Sequence, residues 1–257
     1  MQQCGCGSKS PKNKKAVCYF LMPKWFLVII IILIVLVGGA LIYSFLGVSN
    51  PEEKVYVAVE GDGKIVVLDP LTRTVLRTID LSTPHEGRVL MFQPHNIQVA
   101  PDGKSVWVTA NVGGHQAHTS FIPQAKAHGD GESLLDEPDE VVVIDPSKDR
   151  IIKRIPIGVG FHLAHVVLTP DSSFAYITAQ QKGVIIKVNA KTLEVVNEIL
   201  APPQSEPHGI RVAPDGSKAY VAVLKGKGIG ILDLATDAFN VVPVNGQAVQ
   251  AGITPDG

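Results

Sequence analysis

The stretch Ile210–Val221 reads IRVAPDGSKAYV, and the chain contains three complete copies of this phrase and the start of a fourth. Residues 97–108 read IQVAPDGKSVWV, residues 166–177 read VVLTPDSSFAYI, and residues 253–257 begin the phrase again. Proline presets φ at the first turn position, aspartate caps the turn, and glycine accepts a positive φ. Each complete copy therefore predicts a β-hairpin, two short apolar strands joined by a tight turn.

A second hairpin is predicted after each first one. It begins with an apolar run that ends in Asp or Asn, which favours a turn through the side-chain oxygen. These runs are Ile65–Asp69, Val141–Asp145, Val184–Asn189 and Ile229–Asp233. The repeat unit is thus four short antiparallel strands, named a to d in chain order. Prolines 170, 214 and 255 show that it recurs after about 41 to 44 residues, which is typical of a β-propeller blade.

The fold class predicted from this repeat is all-β, a propeller of four-stranded blades over residues 55–257. The apolar runs are too short, too β-branched and too often interrupted by turns for helical repeats. We count four blades and the first strand of a fifth. Blade 1 begins at Val55–Val59, which matches strand b, and the last phrase stops at its turn.

The residues around these turns resemble the YVTN-type β-propeller repeats. The resemblance is carried by Ala219–Val223 after Pro-Asp-Gly and by Asp69–Thr72 after the third strand of a blade. It implies a superfamily that includes lactonase-like propellers and the propeller domain of cytochrome-type nitrite reductases. Members commonly close with seven blades, so we expect a ring of which this chain holds a part, truncated at its C-terminal end.

A transmembrane signal anchor is predicted over residues 25–47, before a linker over residues 48–54. Trp25 to Leu46 carries no charged residue, and 22 helical residues span roughly 33 Å, enough for the hydrocarbon core. Trp25 and Tyr43 suit the two membrane interfaces. The stretch is long for a cleaved signal peptide and lacks a clear cleavage site, so we expect the anchor to stay uncleaved.

The charge distribution sets the expected orientation of this anchor. Residues 1–24 form a basic tail with five lysines and no acid, which leaves 18 basic against 24 acidic residues beyond it, a net charge near −6. The positive-inside rule places the tail in the cytoplasm and the propeller in the periplasm or outside the cell. Nucleic acid is excluded as a partner because phosphate binding needs a basic face.

All three cysteines, Cys4, Cys6 and Cys18, lie in the predicted cytoplasmic tail, where thiols stay reduced. Two neighbouring thiolates fall short of a tetrahedral metal set. Two interpretations of these cysteines remain, a tail in which they have no special role and a tail that is lipidated through them. The predicted propeller, residues 55–257, contains no cysteine that could form a disulfide.

Five histidines lie in or beside the predicted connections between strand d of one blade and strand a of the next. His95 and His208 each follow a proline and stand six residues before the turn proline, and His165 is one residue off that position. This position opens the innermost strand at the mouth of the central channel. We predict a ligand-binding site at His95, His165 and His208, against the alternative that these rings only pack a turn.

A second candidate site lies in the long connection between strands b and c of blade 2. Residues 112–139 replace a link of about four residues, and they contain His115, His118 and His128 followed by several carboxylates. Three imidazoles can hold Zn or Cu. A loop that contacts a protein partner and a solvated insertion are the alternatives. All eight histidines map to the end of the blades formed by the d–a and b–c connections, which we call the histidine face.

These features predict a membrane-anchored, extracytoplasmic propeller that binds a small ligand or a protein partner and acts as a scaffold, rather than an enzyme. The alternative is a metal- or haem-dependent redox enzyme or cofactor-handling protein that uses the histidine face. The resemblance implies haem there in nitrite-reductase-type propellers and copper in nitrous-oxide reductase. The sequence has no Cys-x-x-Cys-His haem-attachment motif and no recognisable hydrolase or phosphate-loop motif.

The orientation of the anchor gives a first testable prediction. Protease added to spheroplasts should digest the propeller and leave a small membrane-bound fragment that carries the lysine-rich tail, because the tail is held inside by its charge. An epitope at residue 2 detected by immunoblot measures this. Digestion of the epitope before lysis, or a soluble mature form that lacks residues 1–40, would contradict the prediction.

Overall fold

The computed structural model describes Trp25, residues 28–35, residues 53–113 and residues 136–257. The chain divides into two compact units, one up to Glu52 and one from Glu53. In the first unit, Trp25 and residues 28–35 are helical. Among the described residues no helix has the length and apolar character to cross a membrane. Most of the predicted anchor, including Tyr43, and all three cysteines lie outside the described residues, so the anchor stays a prediction.

The second unit is built of antiparallel sheets whose strands follow one another in chain order. The first sheet has three strands, β1 (Val55–Val59), β2 (Lys64–Asp69) and β3 (Thr74–Asp80). A short 3-10 helix at Glu60–Asp62 connects β1 to β2. A two-stranded hairpin follows, formed by β4 (Thr83–His85) and β5 (Arg88–Leu90). The next sheet consists of β6 (Phe92–Val99), β7 (Val106–Val112), β8 (Asp139–Asp145) and β9 (Arg150–Gly158).

Two further four-stranded sheets complete the described part of this unit. One consists of β10 (Leu163–Leu168), β11 (Phe174–Ala179), β12 (Val184–Asn189) and β13 (Glu194–Leu200). The other consists of β14 (Pro207–Val212), β15 (Lys218–Val223), β16 (Gly228–Asp233) and β17 (Phe239–Pro243). The four larger sheets are called blades 1 to 4. They confirm the predicted order of hairpins, with β1 to β3 as strands b, c and d of blade 1.

One element was not predicted from the sequence, the hairpin β4–β5 in the connection between blades 1 and 2. Its turn residues Glu86 and Gly87 both have positive φ, 46° and 77°, which is the geometry of a two-residue type I′ turn. Asparagine or aspartate usually precedes glycine in such turns, so Glu-Gly gives a weak sequence signal. As a consequence, His85 lies in a strand rather than in an irregular loop.

Neighbouring blades pack face to face and share three hydrophobic cores. Trp107 of blade 2 is fully buried among the side chains of blade 3. Tyr176 of blade 3 is buried in the same way against Ile210 and Val221 of blade 4. A third core joins β2 to β7 and β8. Trp107, Tyr176 and Tyr220 each stand on strand b, six residues after the turn proline, and this repeat register predicts that all three pack between blades. The prediction is confirmed for Trp107 and Tyr176, whereas Tyr220 is only half-buried.

The turns between strands c and d add polar contacts at two of the blade interfaces. The fourth residue after the turn Asp or Asn has positive φ in every blade: Arg73, Asp149, Leu193 and Asp237. In blade 2 this residue is Asp149, which binds Lys54 at 2.9 Å and accepts the Tyr56 hydroxyl from blade 1. In blade 4 it is Asp237, which binds Lys187 of blade 3 at 2.9 Å. In blade 3 it is Leu193, which packs on the core instead.

Threonine hydroxyls in strand b tie the innermost strands of successive blades together. Thr109 accepts the backbone N–H of Asn96 at 2.9 Å within its own blade and donates to the carbonyl of Ala164 in the next blade at 3.0 Å. Thr178, at the same repeat position, accepts from His165 at 2.9 Å and donates to the carbonyl of His208 at 2.6 Å. One hydroxyl therefore fixes the relative positions of two neighbouring first strands.

The buried aromatic side chain of Tyr176 gives the second prediction. Tyr176→Ala should lower the free energy of unfolding by about 3–5 kcal/mol, because it opens a cavity between blades 3 and 4. Tyr220→Ala, at the equivalent but half-buried position, should lower the free energy of unfolding clearly less than Tyr176→Ala does. Thermal and urea unfolding of both variants measure the difference. Equal losses of stability for the two variants would show that burial between blades is not what stabilises this position.

Candidate functional site

The three histidines predicted to form a site all lie at β-bulges on strand a of their blades. The pairing of β6 with β7 shifts between Pro94 and Asn96, which leaves His95 as the extra residue. The pairing of β10 with β11 shifts between Leu163 and Val166, and that of β14 with β15 shifts between Pro207 and Ile210, so His165 and His208 also lie within bulges. A bulge bends the strand and redirects a side chain that regular pairing would hold in the sheet.

The bulges bring the three rings together. His95, His165 and His208 each offer one ring nitrogen, and these three atoms lie within 4.8 Å of one another. The ring centroids of His165 and His208 are 5.0 Å apart, and that of His95 lies 6.1 Å from His165 and 5.9 Å from His208. One imidazole therefore comes from each of blades 2, 3 and 4. We call this group the histidine triad.

Two members of the histidine triad are oriented by acceptors on their Nδ1 atoms. Nδ1 of His95 lies 3.2 Å from a carboxylate oxygen of Glu60, and Nδ1 of His208 lies 3.1 Å from the carbonyl oxygen of Val249. Both partners only accept hydrogen bonds, so each Nδ1 carries a proton and donates it. This is the arrangement by which an outer carboxylate or carbonyl orients a metal-binding histidine.

The third member, His165, is the buried one. Its ring Nε2 lies 2.8 Å from the side-chain amide of Gln250, and its Nδ1 is buried without a hydrogen-bond partner among the described residues. Burial lowers the pKa of His165 to about 4, with smaller contributions from the charges of His208 and His95. Burial also lowers the pKa of His208. Both imidazoles are therefore neutral at pH 7, the form in which imidazole binds metals.

The segment that contains Val249 and Gln250 approaches the triad because blade 4 carries a glycine there. The backbone N–H of Gly209 donates to the carbonyl of Val249 at 3.1 Å. A Cβ atom on Gly209 would lie 2.6 Å from that carbonyl oxygen and 2.4 Å from the Gln250 side chain. The glycine after His208 therefore permits two contacts to the triad, the Val249 carbonyl on His208 and the Gln250 amide on His165.

The second candidate site, in the long connection of blade 2, has no histidine among the described residues. His115, His118 and His128 lie outside the described residues, so the predicted metal site in the loop stays a prediction. His85, on β4, pairs with Glu137 at 2.9 Å, near the end of that connection. Asp139, expected beside the loop histidines, is buried and accepts the backbone N–H groups of Val112 and His162 at 2.9 and 2.7 Å.

Sequence reasoning did not single out three further groups at this site. His162 contributes a fourth imidazole, with its ring centroid 6.1 Å from that of His95. Glu60 comes from the far-separated turn after β1, and no local pattern indicates it. Gln250 stands five residues before Pro255, as His165 stands five residues before Pro170, so the repeat register is the signal that could have singled it out.

Comparisons with known proteins support the fold and leave the function open. No protein-family model matches the chain. The uncharacterized protein YncE of Salmonella typhimurium and that of Salmonella typhi are each 28% identical to it over 106 residues. This match covers 41% of the chain and 26% of each relative. The chain thus spans about a quarter of the length of these curated relatives.

Two solved structures share the arrangement of the sheets. A functionally unknown protein from Desulfotomaculum acetoxidans gives a TM-score of 0.58 at 16% identity, over 79% of this chain and 57% of that one. Kuenenia stuttgartiensis hydrazine synthase gives a TM-score of 0.55 at 17% sequence identity, over 75% of this chain and 47% of that one. Identities this low show the fold alone. Together with the four-stranded antiparallel sheets, they support a β-propeller fold.

The close approach at Gly209 gives the third prediction. Gly209→Ala should push away residues 249–250 and lower the free energy of unfolding by about 1–3 kcal/mol, because the added methyl group overlaps backbone. Gly252→Ala is the matched control, since a Cβ there meets nothing within 4 Å. Thermal unfolding of the two variants compares them. A Gly209→Ala protein as stable as the control would show that this contact is absent in solution.

Proposed function

We propose that this chain is a membrane-anchored, extracytoplasmic β-propeller that binds a transition-metal ion through His95, His165 and His208. The observation that carries the proposal is the convergence of three ring nitrogens from three separate blades within 4.8 Å. Metal–nitrogen distances of about 2.0–2.1 Å in a tetrahedral site correspond to nitrogen separations of roughly 3.3 Å. On metal binding the three ring nitrogens would have to approach one another by up to about 1.5 Å, the difference between 4.8 Å and that separation.

The donor set favours a particular class of metal. Imidazole suits Zn, Cu, Fe and Ni, whereas Mg and Ca prefer oxygen ligands. The ligand positions are held by strand hydrogen bonds and by the hydroxyl of Thr178, which contacts the backbone of both His165 and His208. A rigid set of three neutral nitrogen ligands leaves at least one coordination position for water or a bound molecule, as in catalytic zinc sites.

The buried, unpartnered Nδ1 of His165 argues against packing as the sole role of the triad. A buried polar atom without a partner costs free energy, about 1–3 kcal/mol for a neutral group. A ring whose only role is to fill space is better replaced by an apolar residue. A metal bound at Nδ1 of His165 would supply that partner, with the ring proton on Nε2 and the side-chain amide of Gln250 turned so that its oxygen accepts this proton.

The biological role that follows is a binding module held at the outer face of the cytoplasmic membrane. The lysine-rich tail and the apolar stretch that follows it support the membrane anchor. The net charge near −6 beyond residue 24 argues against nucleic acid as the partner. Metal binding at the triad is consistent with a protein that carries or senses a metal. It is equally consistent with the alternative of a redox enzyme or a cofactor-handling protein. The residues of the chain favour no particular reaction.

The fourth prediction tests the metal site directly. The full-length protein in detergent, stripped with chelator, should bind Zn²⁺ or Cu²⁺ with one site per chain in isothermal titration. His95→Ala with His208→Ala should weaken that binding at least about 100-fold, since two of the three protein ligands are removed. His85→Ala is the control, a histidine at the same face that lies outside the triad.

Three readouts decide the result. Circular dichroism and the melting temperature of the metal-free double variant should stay close to those of the parent protein. A parent that binds neither metal would contradict the proposal. Binding that the double variant retains in full would place the metal elsewhere, and the loop variant His115→Ala with His118→Ala would then identify the second candidate site.

A further inference from the structure

The segment of residues 247–257 contacts the histidine triad, and these contacts are the starting point for a further inference, which rests on the proposed metal site. The segment follows β17 and forms no helix or strand. Among the described residues, its hydrogen bonds to the blades lie at Val249 and Gln250. Two of these bonds end on rings of the triad, those of His208 and His165, at 3.1 and 2.8 Å. The triad therefore holds the segment in place.

Apart from these bonds, the 247–257 segment is loosely packed. Most of its side chains are exposed. Ala251, Ile253 and Thr254 line a cavity together with Tyr220 and Ile229 of blade 4, so the segment does not pack closely on this sheet. A segment with few buried apolar contacts has low local stability. The bonds at Val249 and Gln250 therefore decide where it lies.

A metal on the triad strengthens these same bonds. Because Nδ1 of His208 donates to the Val249 carbonyl, the metal-binding atom of this ring is Nε2. In His165 the assignment is reversed, with the metal on the unpartnered Nδ1 and the Nε2 proton donated to the Gln250 side chain. A cation on one ring nitrogen withdraws electron density from the imidazole, so the N–H group on the other nitrogen becomes a stronger donor.

We infer that metal binding at the triad is coupled to docking of the 247–257 segment, with Val249 and Gln250 as the linking residues. The metal fixes the segment against β14, and the docked segment raises the metal affinity by holding two ligand rings in their binding orientation. The two effects are equal in size because a coupling free energy is reciprocal. Residues 253–257 begin the fourth copy of the repeat phrase, so the metal also sets the position of that phrase relative to blade 4.

Zinc affinity tests the role of Gln250 as a positioning residue. The full-length protein in detergent is titrated with Zn²⁺ by isothermal titration. Gln250→Leu removes the hydrogen bond to His165 at similar side-chain size and should weaken zinc binding about tenfold, the lower end of the range for outer partners of metal ligands. Gln250→Glu keeps an acceptor for the ring proton and should retain the parent affinity. Gln247→Leu is the matched control, an exposed glutamine of the same segment, and should bind zinc as the parent does.

Digestion with elastase measures the docking of the segment independently. This protease cuts after small apolar residues, which the segment offers at Ala248, Val249 and Ala251. Zn²⁺ should slow cleavage at these bonds at least about threefold in the parent and in Gln247→Leu, and clearly less in Gln250→Leu, since the coupling is reciprocal. Mass spectrometry locates the cuts. An unrelated peptide substrate in the same tube shows that Zn²⁺ leaves the protease itself unaffected. Cu²⁺ replaces Zn²⁺ in both measurements if the parent binds copper alone.

The outcomes for the two proposals differ. A parent protein that binds neither zinc nor copper contradicts the metal site and this inference with it. Metal binding that leaves the rate of cleavage within the segment unchanged overturns the inference alone, and the metal site stands. Gln250→Leu binding zinc as tightly as the parent does overturns the linking role of Gln250, and with it the coupling as stated.

Discussion

The first strand of blades 2, 3 and 4 leaves its regular pairing at a β-bulge, and this bulge is the constraint on which the candidate site depends. In blades 2, 3 and 4 the bulge falls at the same part of strand a, and in each it carries a histidine. A bulge adds one residue to one strand and turns its side chain out of the sheet. Three such turns around one axis bring together residues that are 43 to 113 positions apart in the sequence.

The convergence is kept in place by contacts between blades rather than within them. Thr178 binds the backbone on either side of the blade 3–4 boundary, and Trp107 and Tyr176 fill the space between sheets. The backbone geometry of the triad is therefore coupled to the packing of the whole array. The repeated residues therefore have two different roles. The turn aspartates and the buried aromatic residues stabilise the blades, whereas the residues at the bulges place polar side chains at the candidate site.

Electrostatics distinguishes the triad from an ordinary group of surface histidines. His165 and His208 are kept neutral by burial, and the outer nitrogens of His95 and His208 already have acceptors. The same surroundings that make protonation unfavourable leave lone pairs available for a metal.

The sequence by itself determined the hairpins, the blade period and the burial of Trp107 and Tyr176, because turn chemistry and apolar alternation are local properties repeated at a fixed interval. It also indicated His95, His165 and His208, since their positions recur in the repeat. It gave no sign of the β4–β5 hairpin, whose Glu-Gly turn is an uncommon choice, or of Glu60 as a partner of His95. Only the tertiary structure decided that the three imidazoles meet and that Gln250 reaches His165. Distances between residues in different blades depend on sheet packing and bulge position, and these are set by contacts far apart in the chain.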